Sequence, residues 1–119
     1  MRQIEPNNFY REYPCSVIAI TCALRRYSTQ LDSLYAEAKM NNNYASLNRV
    51  NREIKKLLKV KQYTYYTREQ RIPLKMYHGK GRAIVCVYGH YIYVDFDKNC
   101  YWSFFDNLND KVVAVWELL

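Results

Sequence analysis

The pattern of apolar and polar positions divides the chain into a helical first half and a strand-forming second half. Residues 15–24 (CSVIAITCAL) are apolar on every side of a helical wheel, which predicts a helix buried in a core. Two amphipathic helices are expected before and after the three consecutive Asn at 41–43. Their apolar stripes are Leu31, Leu34, Tyr35 and Ala38 in the first, and Leu47, Val50, Ile54, Leu57 and Leu58 in the second.

After residue 62 the pattern of apolar positions no longer has a helical period. Apolar, aromatic and β-branched side chains form short runs separated by turn residues. These runs predict strands at 63–67, 83–88, 90–96, 101–106 and 112–116. Gly89 separates two of the runs and predicts a hairpin. Helices followed by a meandering antiparallel sheet indicate the α+β class. The length of 119 residues suits a single domain over 1–119.

The N-terminal residues contain no apolar run of signal-peptide length. No segment approaches the roughly 18 apolar residues that span a membrane. We therefore expect a soluble cytoplasmic protein that makes no membrane contact. The abundance of Asn, Lys and Tyr is typical of an A/T-rich genome, such as that of a phage or a bacterium.

The spacing of the four cysteines argues against a metal site. Cys15, Cys22, Cys86 and Cys100 contain no CxxC pair, and neither histidine lies at zinc-finger spacing from them. In a cytosolic protein they are expected as free thiols, and a free cysteine is usually a small buried hydrophobe. No cofactor or metal is predicted.

The net charge of +7 is concentrated in the middle of the chain. Residues 39–82 carry twelve basic and two acidic side chains, whereas 83–119 are net acidic. Tyrosines are interleaved with cations at 61–68 (KQYTYYTR), a pattern that suits phosphate contacts and base stacking. The segment 39–82 is therefore a candidate surface for nucleic acid or an acidic protein. The alternative is a solvated helix face followed by ordinary strand aromatics.

Cys15 is the candidate nucleophile. Pro14 suits the first helical position, so Cys15 is expected in the first turn of a helix. Free backbone N–H groups and the helix dipole at that position favour a thiolate and can hold an oxyanion. The alternative is that Cys15 is only the first residue of a buried helix.

His90 and Asp106 are the candidate base and the candidate orienting acid. His90 follows Gly89 and lies on the apolar face of its predicted strand, whereas His78 lies in a basic, turn-like stretch. Asp106 ends the next predicted strand, where a carboxylate can orient a histidine. Asn107 is the alternative orienting residue. The alternative for His90 is a partly exposed histidine of the hairpin, and the alternative for Asp106 is an Asp that begins a turn.

Two stretches resemble papain-like cysteine peptidases, most closely the small bacteriocin-leader-processing group. Residues 13–20 (YPCSVIAI) resemble the nucleophile helix of that group, and residues 81–94 (GRAIVCVYGHYIYV) resemble the hairpin that carries its histidine. Asp106 falls where the orienting acid of the family ends the following strand. The Gln that usually precedes the nucleophile is replaced by Phe9, so the resemblance leaves Asn8, or its neighbour Asn7, as the oxyanion donor.

The resemblance implies helices, with a central one starting at Cys15, packed on a C-terminal antiparallel sheet. It also implies a Cys15–His90–Asp106 triad that hydrolyses amide bonds in a protein or peptide. A peptidase is the leading hypothesis, and a deamidase or an acyl transferase uses the same nucleophile. The alternatives are the basic binding module described above and a pseudoenzyme that retains the fold to bind a partner.

Overall fold

The computed structural model describes residues 1–119 and places three α-helices against one face of a six-stranded sheet. The helices are α1 (Cys15–Leu24), α2 (Leu31–Met40) and α3 (Leu47–Leu57). The strands are β1 (Arg2–Ile4), β2 (Val60–Tyr65), β3 (Arg82–Val87), β4 (His90–Asp95), β5 (Cys100–Trp102) and β6 (Val112–Leu118). This arrangement confirms the α+β class.

The helices begin and end where local chemistry dictates. Pro14 occupies the N-cap position of α1, whereas the sequence predicts it at the first helical position. Cys15 is therefore the first helical residue. The helix ends at Arg25, whose φ of 62° is left-handed. Helix α3 begins after Ser46, whose hydroxyl accepts the N–H of Arg49 at 3.2 Å and thereby satisfies a free donor of the first turn.

The sheet has the strand order β1-β5-β4-β3-β6-β2. All neighbouring pairs are antiparallel except β1 and β5, which are parallel. The β3–β4 hairpin turns at Gly89, whose φ of 70° suits a residue without a Cβ, as the sequence predicts. Strand β1 is absent from the sequence-based expectation because a three-residue strand that contains Arg2 and Gln3 carries no apolar alternation.

Each face of the sheet packs against other elements and forms its own hydrophobic core. The helices pack on the face that includes Ile84, Tyr93 and Trp116. The opposite face, which includes Val85 and Ile92, is covered mainly by the connection between β2 and β3 through the buried Leu74. The sheet is therefore the middle layer, and α1 is the helix in closest contact with β4.

Strand β5 is much shorter than the predicted strand 101–106. The hydroxyl of Ser103 accepts the N–H of Phe105 at 3.0 Å, which turns the chain out of the ladder directly after Trp102. The backbone of Ser103 is held by β1 instead. Its N–H donates to the carbonyl of Ile4 at 3.0 Å, and its carbonyl accepts from the side chain of Gln3 at 3.0 Å.

None of the helices has the length and apolar character that crossing a membrane requires.

Candidate functional site

Cys15 lies where the N-terminus of α1 meets the start of β4. As the first helical residue it has an N–H that no intrahelical carbonyl can reach, and the same holds for Ser16. The backbone N–H groups of these two residues and of Tyr91, the residue after His90, act on the sulfur in the direction that lowers its pKa. The fold thus brings the thiol beside the histidine strand.

Cys15 and His90 line the same cleft, which has a volume of about 430 Å³. We call it the front cleft and define it by Cys15, Gly89 and His90 with Tyr44 and Phe105 at its rim. A smaller recess of about 160 Å³ shares Cys15, Tyr44 and Gly89 with this cleft. Cys15 therefore lines two adjoining spaces.

The ionisation of Cys15 differs from the thiolate that its helical position predicts. Burial raises the pKa of the Cys15 thiol above its usual value, and the three backbone N–H groups that reach the sulfur lower it by less. The net direction is upward, so the resting group at neutral pH is a thiol. Desolvation thus outweighs the helix N-terminus at this site.

His90 is neutral at neutral pH. Burial lowers its pKa, and the nearby carboxylate of Asp110 acts in the opposite direction but less strongly. The ring packs edge-on against Phe105, with centroids 5.6 Å apart, which keeps one side of the imidazole from water. A neutral imidazole in a half-buried position has one nitrogen available as a proton acceptor.

The hydrogen bonds of Ser103 identify which imidazole nitrogen carries the proton. Nε2 of His90 lies 3.3 Å from the Ser103 hydroxyl oxygen. That hydroxyl donates its single hydrogen to Oδ1 of Asn107 at 2.6 Å, so towards His90 it can only accept. Nε2 therefore bears the hydrogen, and Nδ1 is the free acceptor.

The same chain of hydrogen bonds continues to a carboxylate. Nδ2 of Asn107 donates to Oδ2 of Asp110 at 2.8 Å. His90 donates to Ser103, Ser103 donates to Asn107, and Asn107 donates to the negatively charged carboxylate of Asp110, where the chain ends. We call these four residues the histidine relay. The amide of Asn107 is only 4% exposed, and burial protects this chain from competition by water.

Asp106 lies outside the relay. Its side chain is exposed and Oδ1 accepts the N–H of Leu108 at 3.1 Å, which is the role of an Asp that begins a turn. No hydrogen bond joins it to His90. The alternative considered from sequence, Asn107, does belong to the relay, through Ser103 rather than by direct contact. The connection through Asp110 has no sequence signal, because it depends on the turn at Ser103.

Asn8 is also placed apart from the thiol. It is exposed, its Oδ1 accepts the side-chain Nε–H of Arg11 at 2.9 Å, and it does not line the front cleft. The amide side chains that do line this cleft are Asn42 and Asn43, which have left-handed φ values of 57° and 75°. From the sequence, the Asn run at 41–43 predicts only a break between two helices.

Only one of the other cysteines lies near the thiol. Cys86 is buried and lines the smaller recess together with Cys15. Cys100 is buried, Cys22 lies on a different cleft, and the exposed His78 lines a third one. No group of three or more His, Cys, Asp or Glu side chains is arranged to hold a metal ion.

The basic segment 39–82 is mostly solvent-exposed, and one of its cations is structural. Arg49 bridges two helices, with Nε 2.8 Å from the carboxylate of Glu37 and a second contact to Glu53. Lys56 also pairs with Glu53, at 3.7 Å. The remaining cations of the segment form no ion pair, so they contribute to the surface potential.

No protein-family model matches the chain, and neither the curated proteins nor the solved structures contain a significantly similar one. Function is therefore inferred from the chain's own residues and their geometry.

Proposed function

We propose that the protein is a cysteine-dependent hydrolase of amide bonds, of papain-like design, in which Cys15 is the nucleophile and His90 the base. The observation that carries the proposal is the position of the thiol. Cys15 is the first residue of α1 and His90 the first residue of β4, and the two side chains line one cleft. This is the constellation that nucleophilic catalysis by cysteine needs.

The protonation states favour general-base catalysis over a preformed ion pair. A neutral thiol and a neutral imidazole are both stable here, because burial disfavours both charged forms. As the sulfur attacks the substrate carbonyl carbon, Nδ1 of His90 takes the thiol proton. It then gives that proton to the departing amine as the C–N bond breaks. Water, deprotonated by His90, hydrolyses the remaining thioester and regenerates the thiol.

The histidine relay supports this proton transfer by fixing the imidazole. With Nε2–H donated to Ser103, the ring is held in the tautomer whose Nδ1 is a base. The Asp110 carboxylate at the end of the relay stabilises the transient imidazolium, since it raises the pKa of His90. In this proposal Asp110 supplies the charge that the sequence analysis assigned to Asp106.

The oxyanion is proposed to bind at the N-terminus of α1. The N–H groups of Cys15 and Ser16 lack intrahelical partners and lie near enough to the sulfur to lower its pKa. A carbonyl oxygen bound next to the sulfur would accept from these groups as negative charge develops on it. This arrangement needs no side-chain amide at Asn8. The two adjoining spaces beside Cys15 suit a peptide that continues on both sides of the reacting carbonyl.

The proposal is tested with an activated ester, because the natural acyl group is unknown. p-Nitrophenyl acetate should acetylate Cys15 and release nitrophenolate, and mass spectrometry of proteolytic fragments should place the acetyl group on the peptide that contains Cys15. Cys15→Ala should abolish the reaction. Cys22→Ala is the matched control, since Cys22 is equally half-buried but lies on another cleft. Equal acetylation of Cys15 and Cys22, or full activity of Cys15→Ala, would refute the assignment.

A second candidate function is binding of an acidic partner or nucleic acid by the basic segment. It is favoured by the many cations of 39–82 that form no ion pair, and by Tyr65, half-exposed with Arg71 5.7 Å from its ring centroid. Titration with single- and double-stranded oligonucleotides over a salt series tests this candidate. Affinity that falls steeply with salt supports it, and absent or salt-independent binding removes it.

A further inference from the structure

A second cleft lies at the opposite end of α1 and shares no lining residue with the front cleft. We call it the rear cleft and define it by Thr21, Arg25, Arg26, Tyr93, Lys98 and Trp102. Its volume is about 500 Å³, within the range of small-molecule sites. Nothing in the proposed hydrolase chemistry uses it.

Thr21 lines this cleft and has an unfilled hydrogen-bonding position. The residue is 6% exposed, and its hydroxyl oxygen is the one buried side-chain polar atom in the protein without a hydrogen-bond partner. Buried hydroxyls normally have a partner, and leaving one unpaired costs stability. The oxygen is shielded from solvent in the structure, so an oxygen-bearing ligand in the rear cleft would supply the missing partner once the Thr21 side chain rotates towards it.

Three cations around the cleft are similarly unpaired. Arg25 and Arg26 follow the last turn of α1, Lys98 stands in the turn between β4 and β5, and none of them forms an ion pair. Arginine and lysine side chains with free donors suit a phosphate group, which offers several acceptor oxygens.

Two carboxylates, Asp95 and Glu5, also line the cleft. Asp95, which is 7% exposed, accepts the backbone N–H of Lys98 at 3.0 Å through Oδ1. Glu5 is exposed, and its nearest cation is Arg11 at 3.9 Å. Neither carboxylate pairs with the three cations of the cleft, and the cations outnumber the carboxylates by three to two, which favours an anion.

The wall of the cleft is aromatic. Trp102 and Tyr93 pack with ring centroids 4.7 Å apart, and Trp102 is half-buried, so part of its indole remains open to the cleft. A flat ring can stack on an exposed indole, as nucleobases do. The hydroxyl of Tyr93 accepts from Arg82 at 3.2 Å, which fixes this aromatic pair in place.

We propose that the rear cleft binds a nucleoside monophosphate, with its phosphate on Arg25, Arg26 and Lys98, its base against Trp102 and a hydroxyl of its sugar on Thr21. The proposal does not depend on the hydrolase assignment, because the two clefts have no lining residue in common.

Isothermal titration calorimetry of the full chain without divalent cations compares uridine and adenosine monophosphates with the nucleosides and with inorganic phosphate. At least one nucleotide should bind about tenfold more tightly than both of its fragments, since each fragment makes only part of the contacts. A nucleoside or phosphate that binds as tightly as the nucleotide overturns the two-part site. Absence of nucleotide binding overturns the proposal altogether.

Variants locate the bound nucleotide. Arg25→Gly removes the guanidinium while keeping the left-handed backbone that glycine favours, and it should weaken binding about tenfold or more. Thr21→Val keeps the shape of the side chain and removes the hydroxyl, for an expected loss of about two- to tenfold. The control is Arg68→Ala, an exposed cation away from both clefts, which should bind normally. Equal losses in all three variants would indicate non-specific charge attraction and overturn the site.

Cys22 gives an independent readout because it also lines the rear cleft. Burial raises the pKa of its thiol to about 11, so alkylation is followed at mildly alkaline pH. Bound nucleotide should slow alkylation of Cys22 and leave that of Cys15 unchanged. Protection of Cys15 instead would place the ligand in the front cleft and contradict the proposal.

Discussion

The clefts at the two ends of helix α1 are built in opposite ways. At the N-terminal end burial holds Cys15 and His90 neutral, and a continuous chain of hydrogen bonds leads from His90 to Asp110. At the C-terminal end three cations form no ion pair and the Thr21 hydroxyl has no partner. A site whose polar groups are mutually satisfied suits proton transfer, whereas a site with unsatisfied polar groups suits capture of a ligand. The predictions below separate these two ends.

The largest effect is expected from His90→Gln. Loss of a positioned general base lowers such reactions by about 10²–10⁴-fold, so acetylation of Cys15 by p-nitrophenyl acetate should fall by at least about 100-fold. Nucleotide binding at the rear cleft should be unchanged in calorimetry. The matched control is His78→Gln, because His78 is exposed and distant from the thiol. A comparable loss of acetylation in both variants would contradict the role of His90.

A smaller effect on acetylation at the front cleft is expected from Asn107→Ala. It leaves the Ser103 hydroxyl without its acceptor and Asp110 without its donor in a buried region, at a cost of about 2 kcal/mol in the free energy of unfolding. Urea denaturation measures this loss, and acetylation should fall about tenfold as His90 loses its fixed tautomer. Asn109→Ala, on the neighbouring exposed Asn, should change neither quantity.

Two aspartates distinguish the relay from the sequence-based triad. Asp110→Asn removes a charge that raises the pKa of His90, so the acidic limb of the pH–rate profile should shift to lower pH and the rate should fall a few-fold. Asp106→Asn should leave the profile in place, because the Asp106 carboxylate accepts a turn N–H and no hydrogen bond joins it to His90. The opposite result, a shift with Asp106→Asn alone, would restore Asp106 as the orienting acid.

The smallest expected effect is on stability. The pKa of His90 is lower in the folded protein than in the unfolded chain, so the unfolded state binds a proton first on acidification. The stability due to neutral His90 is therefore present above its unfolded pKa of about 6.5 and is lost as the pH falls below it. Urea midpoints between pH 7.5 and 5 should show this loss. In His90→Gln the slope over that range should flatten, and an unchanged slope would argue against a buried neutral histidine.

The sequence predicted those secondary-structure elements that are determined by neighbouring residues in the chain. The apolar run after Pro14 defines α1 with its bounds, and Gly89 between two apolar runs defines the β3–β4 hairpin and the position of His90. These two elements are enough to place the thiol and the imidazole in one cleft.

The sequence did not predict the features that depend on contacts between distant residues, such as the end of β5 and the position of Asp106. The aromatic run after Cys100 is typical of a continuing strand, yet Ser103 takes the N–H of Phe105 and ends the strand. That one turn moves Asp106 to the surface and brings Asn107 into the relay. The rear cleft combines residues from the β1 side, α1, β4 and β5, and no local spacing relates them.

Strand β1 has a consequence for the order in which the molecule is assembled. It pairs residue 2 with residue 100 and holds both backbone groups of Ser103, the first partner of His90. Closing a loop of about one hundred residues is entropically costly and slow compared with local pairing. During synthesis the first strand must therefore wait until β5 and Ser103 have left the ribosome. The imidazole acquires its fixed orientation only at that stage, so a chain truncated before β5 would carry His90 without its hydrogen bond to Ser103.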